Sequence, residues 1–214
     1  MFLRYLWENP ELYFSWIVIV IFSICVHEFC HAWTAMKLGD DAAARMGYLS
    51  LNPMQVMGGY SLAALVLIGI AWGSVPVRRE HLRFPAAAPA VSVSGPASNL
   101  ALLVAFSFFA AVAGALSGLN NELAKAFGFL FRVGALANAF LFLLNILPVP
   151  VLDGWEVATF FVPRLQRLDE QTRGYITLGA LLLLLFGGGF TWLWRGAALL
   201  SSLAGAIFAF IPQS

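Results

Sequence analysis

Phe14-Ser-Trp-Ile-Val-Ile-Val-Ile-Phe-Ser-Ile-Cys-Val-His-Glu-Phe-Cys-His-Ala-Trp-Thr-Ala-Met36 decides the fold class. The stretch is about 23 residues long, and a helix needs about 20 apolar residues to cross a hydrocarbon core of about 30 Å. Glu28 is its one formal charge. The stretch is therefore read as a transmembrane helix, and a carboxyl group inside one needs a reason to be there.

The rest of the chain agrees with that reading. Its 214 residues are 61% hydrophobic and 11% charged, against about 25% charged in a soluble domain. We expect an all-α polytopic membrane protein: about five to six transmembrane helices, with a re-entrant segment and a short β element between the first two long spans. The whole of 1–214 is read as one membrane-embedded domain, with a core over 12–156 and a C-terminal helical hairpin over 175–211. A formal net charge of +1, with no Lys/Arg run longer than two, leaves no footprint for nucleic acid. Cys25 and Cys30 lie five residues apart on one apolar run. Helical geometry points them to different faces, so they are read as packing residues and not as a disulfide. Met1 to Glu11 carries Glu8 and Glu11 and no small-residue cleavage pattern, so it is not expected to be a removable signal peptide.

Beyond the first helix, an alternating segment around Tyr48 to Pro53 suggests the short strand. The next apolar stretch, Ser61 to Gly73, has only about 13 residues and suits a segment that dips in and returns. The following loop holds Arg78, Arg79 and Arg83, which the positive-inside rule assigns to the cytoplasm. Long spans are expected over Gly95 to Leu116 and Phe127 to Leu147, joined by a far-side loop from Ser117 to Lys125. Arg164, Arg167 and Arg173 then mark a second cytoplasmic segment. Tyr175 to Phe186 and Trp192 to Ile211, separated by Gly187-Gly188-Gly189, complete the hairpin, with Trp192 and Trp194 at an interfacial depth. No internal repeat occurs, which argues against the repeat-built transporters.

His27-Glu28-Phe29-Cys30-His31 carries the chemistry. Residues four apart on a helix are rotated by only about 40°, so both imidazoles project from one face, one turn apart. That spacing suits two ligands of a zinc ion, and Glu28 beside them is placed to take a proton from a water and return it to a leaving amine. A catalytic zinc takes three protein ligands and keeps one position open. His81 lies in the Arg-rich loop and is read as a solvated surface residue. Asp153, after the helix-breaking Pro148 and Pro150, is the better candidate for the third ligand. It also fits a capping box with Glu156, and local sequence leaves both roles open.

With these residues assembled, the chain resembles the site-2 protease family of intramembrane zinc metalloproteases, in its compact bacterial branch without a PDZ insertion. The resemblance rests on His27-Glu28-x-x-His31, Leu51-Asn52-Pro53, Gly95-Pro96-x-x-Asn99 and Asn145-x-x-Pro148-x-Pro150-x-x-Asp153-Gly154, in that order. It implies one Zn2+ per chain on His27, His31 and Asp153, with Glu28 as the catalytic base and Asn145 contacting substrate or oxyanion. It implies as partners single-pass transmembrane protein substrates, cut within or near their spans in a bacterial inner membrane, with the active site toward the cytoplasm. Where the branch usually carries His and Asp after Asn-Pro, this chain has Val56 and Gly58, and Trp155 follows Asp153-Gly154 in place of a small residue. The alternative is a non-proteolytic member of the same fold that binds metal and partner helices.

Overall fold

The computed structural model describes residues 2–117 and 121–211, and among these its regular secondary structure is all helical, without a strand. Helix α1, Pro10–Leu38, has 29 residues, about 43 Å at 1.5 Å per residue. Asn9 opens it by accepting from the Leu12 N–H, Pro10 occupies the first turn, and Gly39 closes it in the left-handed region at φ 119°. These are the start and stop signals of a helix whose end groups need partners. Two further long helices pack on α1: α3, Ala87–Ser117, and α4, Glu122–Asn145. Between α1 and α3 lies the short helix α2, Gly58–Ile68. After α4 come α5 (Asp153–Phe161), α6 (Glu170–Phe186) and α7 (Gly189–Ala206).

The interior is built from small residues. Ile19 of α1, Leu103 and Phe106 of α3, Ala135, Ala137 and Ala139 of α4, and Ala197 and Ala204 of α7 form one buried cluster. A Cβ at Gly134 would stand 2.8 Å from the Phe106 ring and 3.1 Å from Ile19 Cδ1, so at this point the α4 backbone packs directly against those two side chains. Small residues serve this purpose where helices associate in an apolar solvent. The large apolar side chains face outward instead, among them Phe14, Val18, Phe22, Val104, Phe108 and Leu183.

Among the described residues, three helices are long and apolar enough to cross a membrane: α1, α3 and α4. The pair α6 and α7 is bent by 72° at Gly187-Gly188 and counts as at most a fourth span. The expected five to six spans are therefore not found among the described residues. Helix α2 has 11 residues, about 16 Å, and lies in the stretch expected to dip in and return, not to cross. The shortfall is in the C-terminal stretch, expected as two helices of a hairpin, which bends at the glycines, where Gly188 has φ +77°, and supplies at most one span. Of the expected far-side loop, residues 118–120 lie outside the described residues.

The expected β element is also corrected. Around Tyr48 to Pro53, Ser50 Oγ accepts from the Asn52 N–H and Asn52 Oδ1 accepts from the Met54 N–H, both at 3.0 Å. The polar side chains thus bond to nearby backbone and cap a helical turn, Pro53–Val56, and no second strand lies alongside to compete. Beyond α2 the chain doubles back, because the Ser74 N–H donates to the Val56 carbonyl at 3.1 Å. The return limb is tied down by Ser61, whose hydroxyl donates to the Trp72 carbonyl at 2.6 Å and accepts from the Trp72 N–H at 2.8 Å.

Gly134→Ala is expected to lower stability by about 1–3 kcal/mol, the usual cost of overpacking a tight contact. Thermal unfolding of the purified protein in detergent reads this, and an unchanged midpoint would contradict the packing described.

Candidate metal centre

The i, i+4 spacing on α1 brings His27 Nε2 and His31 Nε2 to 3.0 Å from each other. Asp153 arrives from the other end of the domain. Helix α4 stops at Asn145, Pro148 and Pro150 turn the chain, and Leu152 is extended at φ −114°, ψ 157°, before α5 begins. Gly154 makes the turn possible, because a Cβ there would collide with the Ile146 and Leu147 carbonyl oxygens. Asp153 Oδ2 then lies 3.0 Å from His27 Nε2 and Oδ1 lies 3.2 Å from His31 Nε2. The capping role left open by the sequence is not the one adopted: Leu152 is the N-cap residue and no side chain caps α5. Glu156 instead takes the Thr159 hydroxyl and pairs with Arg79.

Protons decide what this cluster can hold. His31 Nδ1 lies 2.8 Å from the Val91 carbonyl oxygen, with the Ser94 hydroxyl at 3.4 Å. A carbonyl can only accept, so Nδ1 carries the hydrogen and the neutral ring keeps a lone pair on Nε2. His27 Nδ1 lies 2.6 Å from Asn99 Oδ1, which also accepts. Both Nε2 lone pairs therefore point toward the Asp153 carboxylate, whose Oδ2 is buried with no hydrogen-bond partner despite its closeness to His27. Lone pairs gathered this way in an apolar interior call for a cation between them. Ligand atoms about 2.0–2.2 Å from a tetrahedral centre stand about 3.3 Å apart, close to the spacings seen. Among the described residues, His27, His31 and Asp153 form the one such group able to hold a metal ion.

Gly95 completes the cradle. A Cβ on this α3 residue would fall on the Nε2 atoms of both histidines, so only glycine leaves the space between them open. Glu28 is also buried and borders the same cavity of about 370 Å³. Its carboxylate has no hydrogen-bonding partner among the described residues, and it packs against Gly73, where a Cβ would stand 2.8 Å from Oε1. Asn145 borders the cavity too, and its Nδ2 donates to the Leu141 carbonyl at 3.0 Å.

The remaining wall is the return limb, Ala71 to Val77. Asp40, fully buried, fixes its far end by accepting from the Arg78 N–H at 2.6 Å and the Ala42 N–H at 3.0 Å. Burial raises the Asp40 pKa, but those two N–H groups and His81 lower it by more, and it lies below the ordinary carboxylate range. His81 thus stands beside Asp40, with Nδ1 3.4 Å from Oδ1, and away from the cluster. Cys25 and Cys30 are free thiols outside the group. Reading the sequence missed the parts played by Val91, Gly95 and Asn99. For Gly95 and Asn99 only the shared motif marked the positions, and nothing marked Val91.

Comparison with known proteins bears on the same residues. The family model for peptidase family M50 matches residues 15–187. The "Putative zinc metalloprotease YwhC" of Bacillus subtilis is 31% identical over 196 residues, covering 88% of this chain and 89% of that protein. The "Putative zinc metalloprotease Rip2" of Mycolicibacterium smegmatis is 33% identical over 162 residues, covering 69% of this chain and 58% of that protein. Rip2 of Mycobacterium tuberculosis is 33% identical over 147 residues, 66% of this chain and 53% of that protein. The chain thus spans little more than half the length of the Rip2 proteins. No solved structure matches it.

Gly95→Ala should fill the space between the two imidazoles and weaken zinc binding by at least about 10-fold, the scale on which lesser disturbances around metal ligands act. Competition with a chelator measures this, and a variant that binds zinc like its parent would contradict the cradle.

Proposed function

The chain belongs to peptidase family M50, the site-2 protease family, and from that premise we propose that it is an intramembrane zinc metalloendopeptidase. The observation that carries the reading is the convergence of His27, His31 and Asp153 on one buried point, with the Glu28 carboxylate beside it in the same cavity. In this reading the first three residues hold the metal and Glu28 is the general base. A zinc ion held there supplies Lewis-acid polarisation of the scissile carbonyl and a lowered pKa for water. Glu28 takes the proton from the attacking water and delivers it to the leaving amine. Asn145, at the cavity edge, offers an amide to the substrate backbone or to the developing oxyanion.

Substrates are single-pass transmembrane proteins. A helical substrate must unwind locally before its amide is reachable, and the limb from Ala71 to Val77, which forms no helix, runs along the cavity, where an unwound segment can pair by strand addition. The site lies in the C-terminal half of α1, near the end against which the basic loop is docked, with the Arg83 N–H donating to the Leu38 carbonyl at 3.0 Å. Arg78, Arg79 and Arg83 at that end support a cytoplasmic orientation by the positive-inside rule, and the bacterial relatives support a bacterial inner membrane. The doubling back of the chain between Val56 and Ser74 supports a re-entrant limb that leaves both flanks on that side.

Reconstituted with a transmembrane substrate whose helix is weakened by Gly and Pro, the protein is expected to cut it. Glu28→Gln should retain zinc and lose activity by about 10²–10⁴-fold. Wild-type protein that holds zinc yet leaves such substrates intact would contradict the proposal and favour a non-proteolytic, metal-binding role.

A further inference from the structure

We propose that Asn138 is a positioning residue that fixes which ring nitrogen of His27 is free to bind metal, acting through Asn99. The inference rests on the metal reading above. Asn138 of α4, Asn99 of α3 and Ser23 of α1 are each fully buried where these three helices meet. Asn138 Nδ2 donates to the Gly134 carbonyl and to Ser23 Oγ, both at 2.9 Å. Asn99 Nδ2 donates to Asn138 Oδ1 at 3.0 Å, and Asn99 Oδ1 faces His27 Nδ1 at 2.6 Å.

The direction of every bond in this chain follows from its far end. The Gly134 carbonyl can only accept, so Asn138 must turn its NH2 group toward it and its Oδ1 toward Asn99. Asn99 must then answer with its own NH2 group, which leaves Oδ1 for His27. An oxygen there requires the hydrogen of His27 on Nδ1 and leaves the lone pair on Nε2, the atom beside Asp153. Reversing either amide would set oxygen against oxygen at about 3 Å inside an apolar core, and an Asn99 NH2 group facing Nδ1 would move the hydrogen of His27 to Nε2, where it blocks a metal. His31 needs no such relay, because a backbone carbonyl, that of Val91, receives its Nδ1 directly. The two ligands of one motif are thus oriented by different means, and only His27 depends on a side chain that can flip.

A buried asparagine between spans can also serve simply as a hydrogen-bonded contact between helices, and the test separates the two roles. Zinc affinity is measured by chelator competition on the folded, detergent-purified full chain, together with the visible spectrum of the Co2+-substituted protein. Asn138→Leu is expected to weaken zinc binding about 10–100-fold and to alter the Co2+ spectrum. Adding Asn99→Asp to it should restore affinity, since a carboxylate accepts from His27 Nδ1 whichever way it turns. Asn138→Ala provides the same reading if the leucine variant does not fold. Wild type that binds zinc alongside an Asn138→Leu protein of equal affinity overturns the inference and leaves the metal site standing. Weakened binding that Asn99→Asp does not restore also overturns it, leaving Asn138 a contact between helices. Wild type that binds no zinc removes the metal reading, and the inference with it.

Discussion

Three electron-pair donors, the Nε2 atoms of His27 and His31 and the carboxylate of Asp153, face one another within 4.8 Å. Such an arrangement is unfavourable until a cation joins it, and an apolar surrounding sharpens both the cost and the relief. Most of the structure around it serves to hold that arrangement. Gly95 leaves the space between the imidazoles, Gly154 lets α5 start where Asp153 reaches them, and the Val91 carbonyl and Asn99 amide hold the rings from behind. The alanines of α4 and α7 and Gly134 let α4 pack closely on Ile19 of α1 and Phe106 of α3.

The proposed catalysis depends on the same frame. The Glu28 carboxylate borders the cavity without a hydrogen-bonding partner among the described residues, as the proposed proton carrier should, whereas His27 and His31 are each held at Nδ1, by Asn99 and by the Val91 carbonyl. Another wall is the return limb, anchored through Trp72 to Ser61 at one end and through Arg78 to Asp40 at the other. Arg79 and Glu156 pair across the cavity edge and join that limb to α5, the helix that Asp153 begins.

The sequence made some of this legible and not the rest, for physical reasons. Helical spacing is local, so His27 and His31 could be assigned to one face from five residues, and the length of Phe14 to Met36 was enough for a span. Asp153 was ambiguous because a carboxylate before a helix has two uses, and only the position of Gly154 against the end of α4 separates them. The alternation around Tyr48 to Pro53 looked like a strand because side-chain capping by Ser50 and Asn52 leaves the same trace as a pleat. The span count was too high because the two apolar stretches on either side of Gly187-Gly188 read as separate crossings when only composition is weighed. The asparagines behind His27 were beyond reach, since Asn99 and Asn138 acquire meaning from a partner on another helix.

X-ray absorption at the zinc edge of the purified protein is the most direct measurement of the central claim. The account predicts one zinc per chain with nitrogen and oxygen neighbours at about 2.0–2.2 Å, two of them imidazoles, and no sulfur. A sulfur shell at about 2.3 Å would put Cys25 or Cys30 on the metal in place of Asp153. That result, or a protein that holds no zinc, would contradict the account.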